Sequence, residues 1–143
     1  MNEMITNLYL LWGAVQDIRK RKISNKYLMI GGIGGVGFRI IGLKNNLHII
    51  EDWLFAIVPG ILFLFLAKKT REKLGVGDGL VLLVLGSFMT FFEICKLIRN
   101  AMILLLLFAV ILLCSRKFSK DYQIPFLPFL WLSHLLLWSL KYV

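Results

Sequence analysis

Cysteine and histidine are scarce in this sequence. The two cysteines, Cys95 and Cys114, form no Cys-x-x-Cys pair, so the sequence indicates neither a disulfide framework nor a cysteine zinc site. The two histidines, His48 and His134, fall in a loop and in an apolar segment, and a histidine metal site is not expected. We therefore predict that the protein binds no metal and no cofactor.

Acidic residues are also few. The chain has 8 Asp and Glu residues against 17 Lys and Arg residues, which gives a formal net charge of +9. A basic excess can indicate nucleic-acid binding. Here nearly all the basic residues lie in short loops between apolar runs, where the positive-inside rule explains them, and we predict no nucleic-acid partner. No basic cluster precedes the first apolar run, so we do not expect a secretory signal peptide.

Apolar residues dominate the composition. Hydrophobic residues make up 59% of the chain, against about 45–50% in a typical soluble domain. Helices are the expected form, because an open strand in lipid leaves its backbone polar groups unpaired. We predict an all-α integral membrane protein, a polytopic bundle of about six transmembrane helices forming a single domain over residues 1–143. The predicted spans are 4–18, 27–43, 51–67, 78–94, 99–115 and 125–141.

The distribution of basic residues predicts the orientation. Twelve of them lie in the loops after spans 1, 3 and 5, four lie on the other side, and Arg39 lies inside span 2, where it is expected to snorkel to the interface. The rule places the twelve in the cytoplasm and both termini outside. We therefore predict a multi-pass protein of the cytoplasmic membrane, in contact with the lipid bilayer, and make no prediction of its oligomeric state. The twelve are Arg19, Lys20, Arg21, Lys22, Lys26, Lys68, Lys69, Arg71, Lys73, Arg116, Lys117 and Lys120.

Two aspartates lie where an apolar segment meets one of these basic loops. Asp17 ends span 1, and Asp78 follows Gly75-Val76-Gly77 at the start of span 4. Acids at membrane depth are costly and usually functional. Two carboxylates that share a proton can activate water and protonate a leaving amine. A simpler interpretation stays open, in which Asp17 pairs with neighbouring arginines while Asn25 and Asp78 cap helices.

Span 2 contains a glycine pattern that can be mistaken for a cofactor site. Gly32, Gly34 and Gly37 match G-x-G-x-x-G, but no strand or βαβ unit surrounds them. Gly31 and Gly35 form G-x-x-x-G, which is typical of closely packed membrane helices. We therefore interpret these glycines as a packing surface.

Together these features resemble the prepilin leader peptidases, the integral-membrane aspartic proteases of type IV pilus, type II secretion and Tad-type systems. Asp17 followed by Ile23 and Asn25 resembles the first aspartate motif of the family, D-x5-I-P-N, and Gly75-Val76-Gly77-Asp78 resembles its G-x-G-D motif. The segment 125–129, with Pro125, Phe126, Pro128 and Phe129, is similar to its late Pro-Phe-x-Pro-Phe element. The resemblance covers essentially the whole chain, in order.

The resemblance implies cleavage of a short basic leader from a prepilin-like protein substrate at the cytoplasmic face. It makes Asp17 and Asp78 the catalytic pair and Gly75, Gly77, Ile23 and Asn25 their support. Pro125, Phe126, Pro128 and Phe129 become substrate-binding or structural residues.

The chain departs from the family pattern in three places. Ser24 replaces the usual proline of the first motif, and Leu80 replaces a frequent lysine. The cytoplasmic insert with paired Cys-x-x-Cys motifs, linked to N-methylation in larger members, is absent, so we predict no methyltransferase activity.

Two other functions stay open. A presenilin-like intramembrane protease also uses Gly-x-Gly-Asp, but its Pro-Ala-Leu element is replaced here by Pro-Phe-Leu-Pro-Phe. A small ion-coupled transporter or assembly subunit could use the two aspartates as a proton site. Such transporters usually contain inverted repeats, and the sequence contains none that we detect.

Overall fold

The computed structural model describes residues 2–20, 23–43, 48–70, 75–114 and 124–141. Every regular element in these ranges is an α-helix, which confirms the all-helical prediction. The helices are α1 (Asn2–Lys20), α2 (Asn25–Leu43), α3 (His48–Lys69), α4 (Val76–Leu85), α5 (Phe91–Cys114) and α6 (Leu127–Lys141).

The prediction of one continuous span over 78–94 is wrong. The helix α4 has only 10 residues and ends at Leu85, and α5 starts after a turn at residues 86–90. At about 1.5 Å per residue, α4 is roughly 15 Å long, about half the hydrocarbon thickness of a bilayer.

Two sets of hydrogen bonds explain this break in the helix. The Arg39 guanidinium donates from Nε to the Ser87 carbonyl at 3.0 Å and from Nη2 to the carbonyls of Gly86 at 3.2 Å and Met89 at 2.6 Å. These carbonyls are therefore satisfied without continuing the helix. The start of α5 has one of the two side-chain bonds of a capping box: the Thr90 N–H donates to Glu93 Oε2 at 2.9 Å, while the Thr90 carbonyl accepts from the Ile94 N–H.

Small residues allow the helices to approach closely. A Cβ atom added at Gly60 would lie 2.7 Å from the backbone nitrogen of Leu83, so α3 and α4 pack backbone to backbone. On α2, a Cβ at Gly35 would lie 2.5 Å from Ser87 Cβ, and one at Gly31 would collide with the Tyr9 ring. The interpretation of Gly31 and Gly35 as a packing surface is therefore confirmed.

The closest packing does not simply follow chain order. The helix α1 packs mainly on α6, while α3 packs on α4 and α5 on α6. Trp131 Nε1 of α6 donates to Asn7 Oδ1 of α1 at 2.7 Å, and Ser133 Oγ of α6 donates to the Leu97 carbonyl of α5 at 2.8 Å. Polar bonds of this kind fix the pairing of helices in an apolar surrounding.

The surface is apolar where a water-soluble protein would be polar. Ile33, Ile41 and Phe92 are each more than 70% exposed, whereas Thr6 and Ser133 are buried. Within the described ranges, two helical stretches, Ile50–Lys69 and Phe91–Cys114, are long and apolar enough to cross a membrane, and Val76–Leu85 and Leu127–Leu140 are shorter apolar helices. This distribution is consistent with an α-helical membrane protein.

The number of spans and their orientation stay predictions. Many of the basic residues on which the orientation rests lie outside the described residues, as do both ends of the chain. These basic residues are Arg21, Lys22, Lys44, Arg71, Lys73, Arg116, Lys117 and Lys120.

Candidate active site

Asp17 lies near the end of α1 and is only 8% exposed. Its Oδ2 accepts a hydrogen bond from the backbone N–H of Leu127 at 3.1 Å. Asp17 therefore acts as an N-terminal cap for α6, a helix 110 residues away in the sequence. The predicted pairing of Asp17 with a neighbouring arginine is not observed for Arg19, while Arg21 lies outside the described residues.

Asp78 lies in the first turn of α4 but is not its cap. The N-cap residue is Gly75, in an extended conformation with φ −64° and ψ 119°, and the Asp78 N–H donates to the Gly75 carbonyl at 3.1 Å. The interpretation of Asp78 as a helix cap is therefore wrong. Its carboxyl group is left available to the site.

The two glycines of this motif each make room for a particular side chain. A Cβ atom at Gly75 would lie 2.8 Å from Asp78 Oδ2, and a Cβ at Gly77 would lie 2.8 Å from Ile23 Cδ1. Real Cβ atoms do not approach so closely, so Gly75 accommodates the acid and Gly77 accommodates the segment that follows α1. Ile23 of the first motif thus packs directly against the second.

The cap of α2 is Ser24, so the interpretation of Asn25 as a helix cap is wrong. The Ser24 carbonyl accepts the first helical bond of α2 from Leu28 at 3.2 Å, so Ser24 is the cap and Asn25 is the first, exposed helical residue. The Ser24 N–H donates to Gln16 Oε1 at 3.2 Å. Proline has no N–H, so the departure from the family pattern at this position supplies a bond that proline cannot make.

The two aspartates line one cavity of about 120 Å³. Its described lining is Asp17, Gly75, Gly77, Asp78, Ile124, Pro125 and Phe126. The two carboxyl groups are close enough to interact electrostatically. A water molecule occupies about 30 Å³ in the liquid, so this volume fits a few waters but not a folded peptide segment.

The late proline and phenylalanine residues divide between the cavity and the packing around it. Pro125 and Phe126 line the cavity, and the Phe126 ring stacks on Phe63 with centroids 5.6 Å apart. Phe129 instead packs against Phe108 at 5.4 Å. Pro128 and Leu80 are absent from the described lining.

A second, larger cavity lies at the other end of α1 and α6. Its volume is about 710 Å³, and its polar lining includes Glu3, Glu93, Lys96 and His134. His134 is buried, and its Nδ1 has no hydrogen-bond partner among the described residues. No group of three or more potential metal ligands occurs in the described part of the chain. The acid pair and its glycines therefore single out the smaller cavity as the candidate active site.

The chemistry available in the smaller cavity comes from its carboxyl groups. Of its described lining residues, only the two aspartates carry side chains that can take up and release a proton. One ionised and one protonated carboxyl group beside a water molecule can perform general acid–base hydrolysis.

Sequence reasoning missed several residues that build this arrangement. Glu93 had no assigned role, although Thr90-x-x-Glu93 is a capping-box pattern that could have been recognised. Arg39 was expected at the interface but lies against the α4–α5 turn. The Leu127 donor is a backbone group, so no side-chain pattern could have indicated it.

Comparison with known proteins gives one match. The model of the type IV leader peptidase family matches residues 4–117, a range that includes both aspartates and both glycines of the cavity. No curated protein and no solved structure shows a significant match to the chain. The matched range ends before Ile124, so α6 is placed in the site by the structure alone.

Proposed function

The chain belongs to the type IV leader peptidase family, and we propose that it is a membrane-embedded aspartic endopeptidase that cleaves the basic leader from prepilin-like precursors. Cleavage would occur at the cytoplasmic face, just before the hydrophobic helix of the substrate. The observation that carries the proposal is the presence of Asp17 and Asp78 in one cavity that is large enough for a few water molecules. Family membership makes it a peptidase, and the acid pair is what supports the aspartic mechanism.

In the proposed mechanism the ionised aspartate takes a proton from water. The water oxygen attacks the scissile carbonyl carbon, while the protonated aspartate donates to the carbonyl oxygen. The tetrahedral intermediate then breaks the C–N bond as a proton passes to the leaving amine, and no covalent enzyme intermediate forms. The small volume of the cavity means that the scissile bond must enter from its open side in extended form.

The proposal is tested by co-expressing the chain with a prepilin whose basic leader ends in glycine, followed by N-terminal sequencing of the product. We expect a cut directly after that glycine, and we expect Asp17→Asn and Asp78→Asn each to abolish it while membrane insertion is retained. Asp52→Asn is the matched control, since this exposed aspartate lines neither described cavity.

Other results would contradict the proposal in distinct ways. Full cleavage by Asp17→Asn or by Asp78→Asn would exclude the acid pair as the catalytic group. Cleavage inside the transmembrane helix of the substrate would indicate a presenilin-like intramembrane protease. Proton-coupled uptake in liposomes that is lost in Asp78→Asn, with no proteolysis of several prepilins, would indicate an ion-coupled transporter.

A further inference from the structure

The two aspartates of the site have different hydrogen-bond surroundings. Asp17 Oδ2 accepts a hydrogen bond from the Leu127 N–H at 3.1 Å. Backbone N–H groups that donate to a carboxylate favour its charged form. Such charge-assisted bonds are roughly twice as strong as neutral ones. The N-terminus of α6 also carries a partial positive charge, which acts in the same direction.

Asp78 receives less support for a negative charge. It lies in the first turn of α4 and benefits from the dipole of that helix, but its carboxyl group accepts no hydrogen bond from a described residue. Asp17 has the dipole effect of α6 and a direct donor as well, the Leu127 N–H. Because two close carboxylates in a poorly solvated site do not both ionise readily, the single proton goes to the less supported acid, Asp78.

The local sequence at the start of α6 leaves few N–H groups free to donate. Pro125 and Pro128 have no N–H, so the turn Pro125-Phe126-Leu127-Pro128 offers only the N–H groups of Phe126 and Leu127. The Leu127 N–H donates to the Asp17 carboxylate. Leu127 therefore supplies the direct donor that distinguishes Asp17 from Asp78.

We propose that the N-terminus of α6 is a positioning element that holds Asp17 ionised, so that Asp17 is the general base and Asp78 enters the reaction protonated. This assignment of roles rests on the proposed peptidase function. The positioning element lies beyond residues 4–117, the range matched by the family model.

The first test compares Leu127→Pro with Leu127→Ala. Leu127 is fully buried and is the first residue of α6, a position where proline is tolerated. Both variants shorten the buried side chain, but only proline removes the donor. We expect the acidic limb of the pH profile of kcat/KM to move to higher pH in Leu127→Pro relative to Leu127→Ala, by on the order of one pH unit per lost donor. Superimposable profiles would overturn the proposal.

The second test needs neither a folded Leu127 variant nor cleavage. Carboxyl carbon-13 NMR on the whole protein labelled at aspartate follows each acid through a pH titration, with signals assigned by their loss in Asp17→Asn and Asp78→Asn. We expect Asp78 to take up its proton at higher pH than Asp17, and the reverse order would overturn the assignment. If the order is as expected but no prepilin is cleaved, the proposed function fails while the proton placement stands.

Discussion

Replacement of Arg39 by methionine is expected to destabilise the protein strongly. The guanidinium makes three hydrogen bonds to the carbonyls of Gly86, Ser87 and Met89, which the break between α4 and α5 leaves without helical partners. Methionine fills a similar volume with an apolar chain and offers no donor. The variant therefore leaves three backbone acceptors unsatisfied.

The expected loss follows from the number and burial of these bonds. A hydrogen bond to a charged group contributes about 1.5–3 kcal/mol, so the three bonds together contribute at most about 9 kcal/mol to stability. Because Arg39 is only partly buried, water can replace some of these hydrogen bonds in the variant. We therefore expect Arg39→Met to lower the free energy of unfolding by about 2–4 kcal/mol. Arg39→Lys should recover about half of the loss, because lysine keeps the charge but lacks the planar guanidinium that donates to all three carbonyls.

Thermal unfolding in detergent micelles measures the effect. At about 3 °C per kcal/mol for a chain of this size, Arg39→Met should lower the Tm by about 6–12 °C. Arg99→Met is the control, because Arg99 is exposed and its one described hydrogen bond goes to the adjacent Asn100. If Arg39→Met and Arg99→Met have the same Tm, the hydrogen bonds of Arg39 do not stabilise the turn, and the prediction that Arg39 reaches the membrane interface is favoured instead.

Two further predictions concern the glycines of the cavity. Gly77→Ala should lower the free energy of unfolding by about 1 kcal/mol, because the added Cβ would lie 2.8 Å from Ile23 Cδ1. Adding Ile23→Val removes that methyl group and should restore stability. If the two changes have additive effects in unfolding experiments, the contact is contradicted. Gly75→Ala should displace the Asp78 carboxyl group and reduce prepilin cleavage by at least about tenfold, with an unchanged Tm. Cleavage at the wild-type rate would show that Asp78 does not need the space left by the missing Cβ of Gly75.

Local sequence patterns predicted the helices and drew attention to the two acids. Apolar runs predicted the helices, and Asp17 and Asp78 stand out because each lies at a boundary between an apolar and a basic segment. The supporting role of Gly75 and Gly77 followed from the resemblance to a G-x-G-D motif, and the structure gives each glycine a contact that excludes a side chain. The helices were predictable because hydropathy is a property of single residues and their neighbours, whereas the catalytic role of the acids stays a prediction.

The ends of helices were predicted less well. The segment 78–94 is mostly apolar, and apolar character does not distinguish a continuous helix from two helices joined by a turn. The turn depends on the Arg39 side chain, which comes from a different helix. The Thr90-x-x-Glu93 pattern is a local signal for the start of α5, and reading the segment by hydropathy alone missed it.

The sequence by itself determined that this is an apolar helical chain with two acids, each at the edge of a basic segment and one of them preceded by glycines. Only the tertiary structure decided that α1 packs mainly on α6, and that the backbone of Leu127 donates to Asp17. Backbone donors are the same for every residue except proline, so their partners depend on how distant helices pack and not on residue type. The acids are therefore encoded locally, whereas the difference between them arises from a contact across 110 residues.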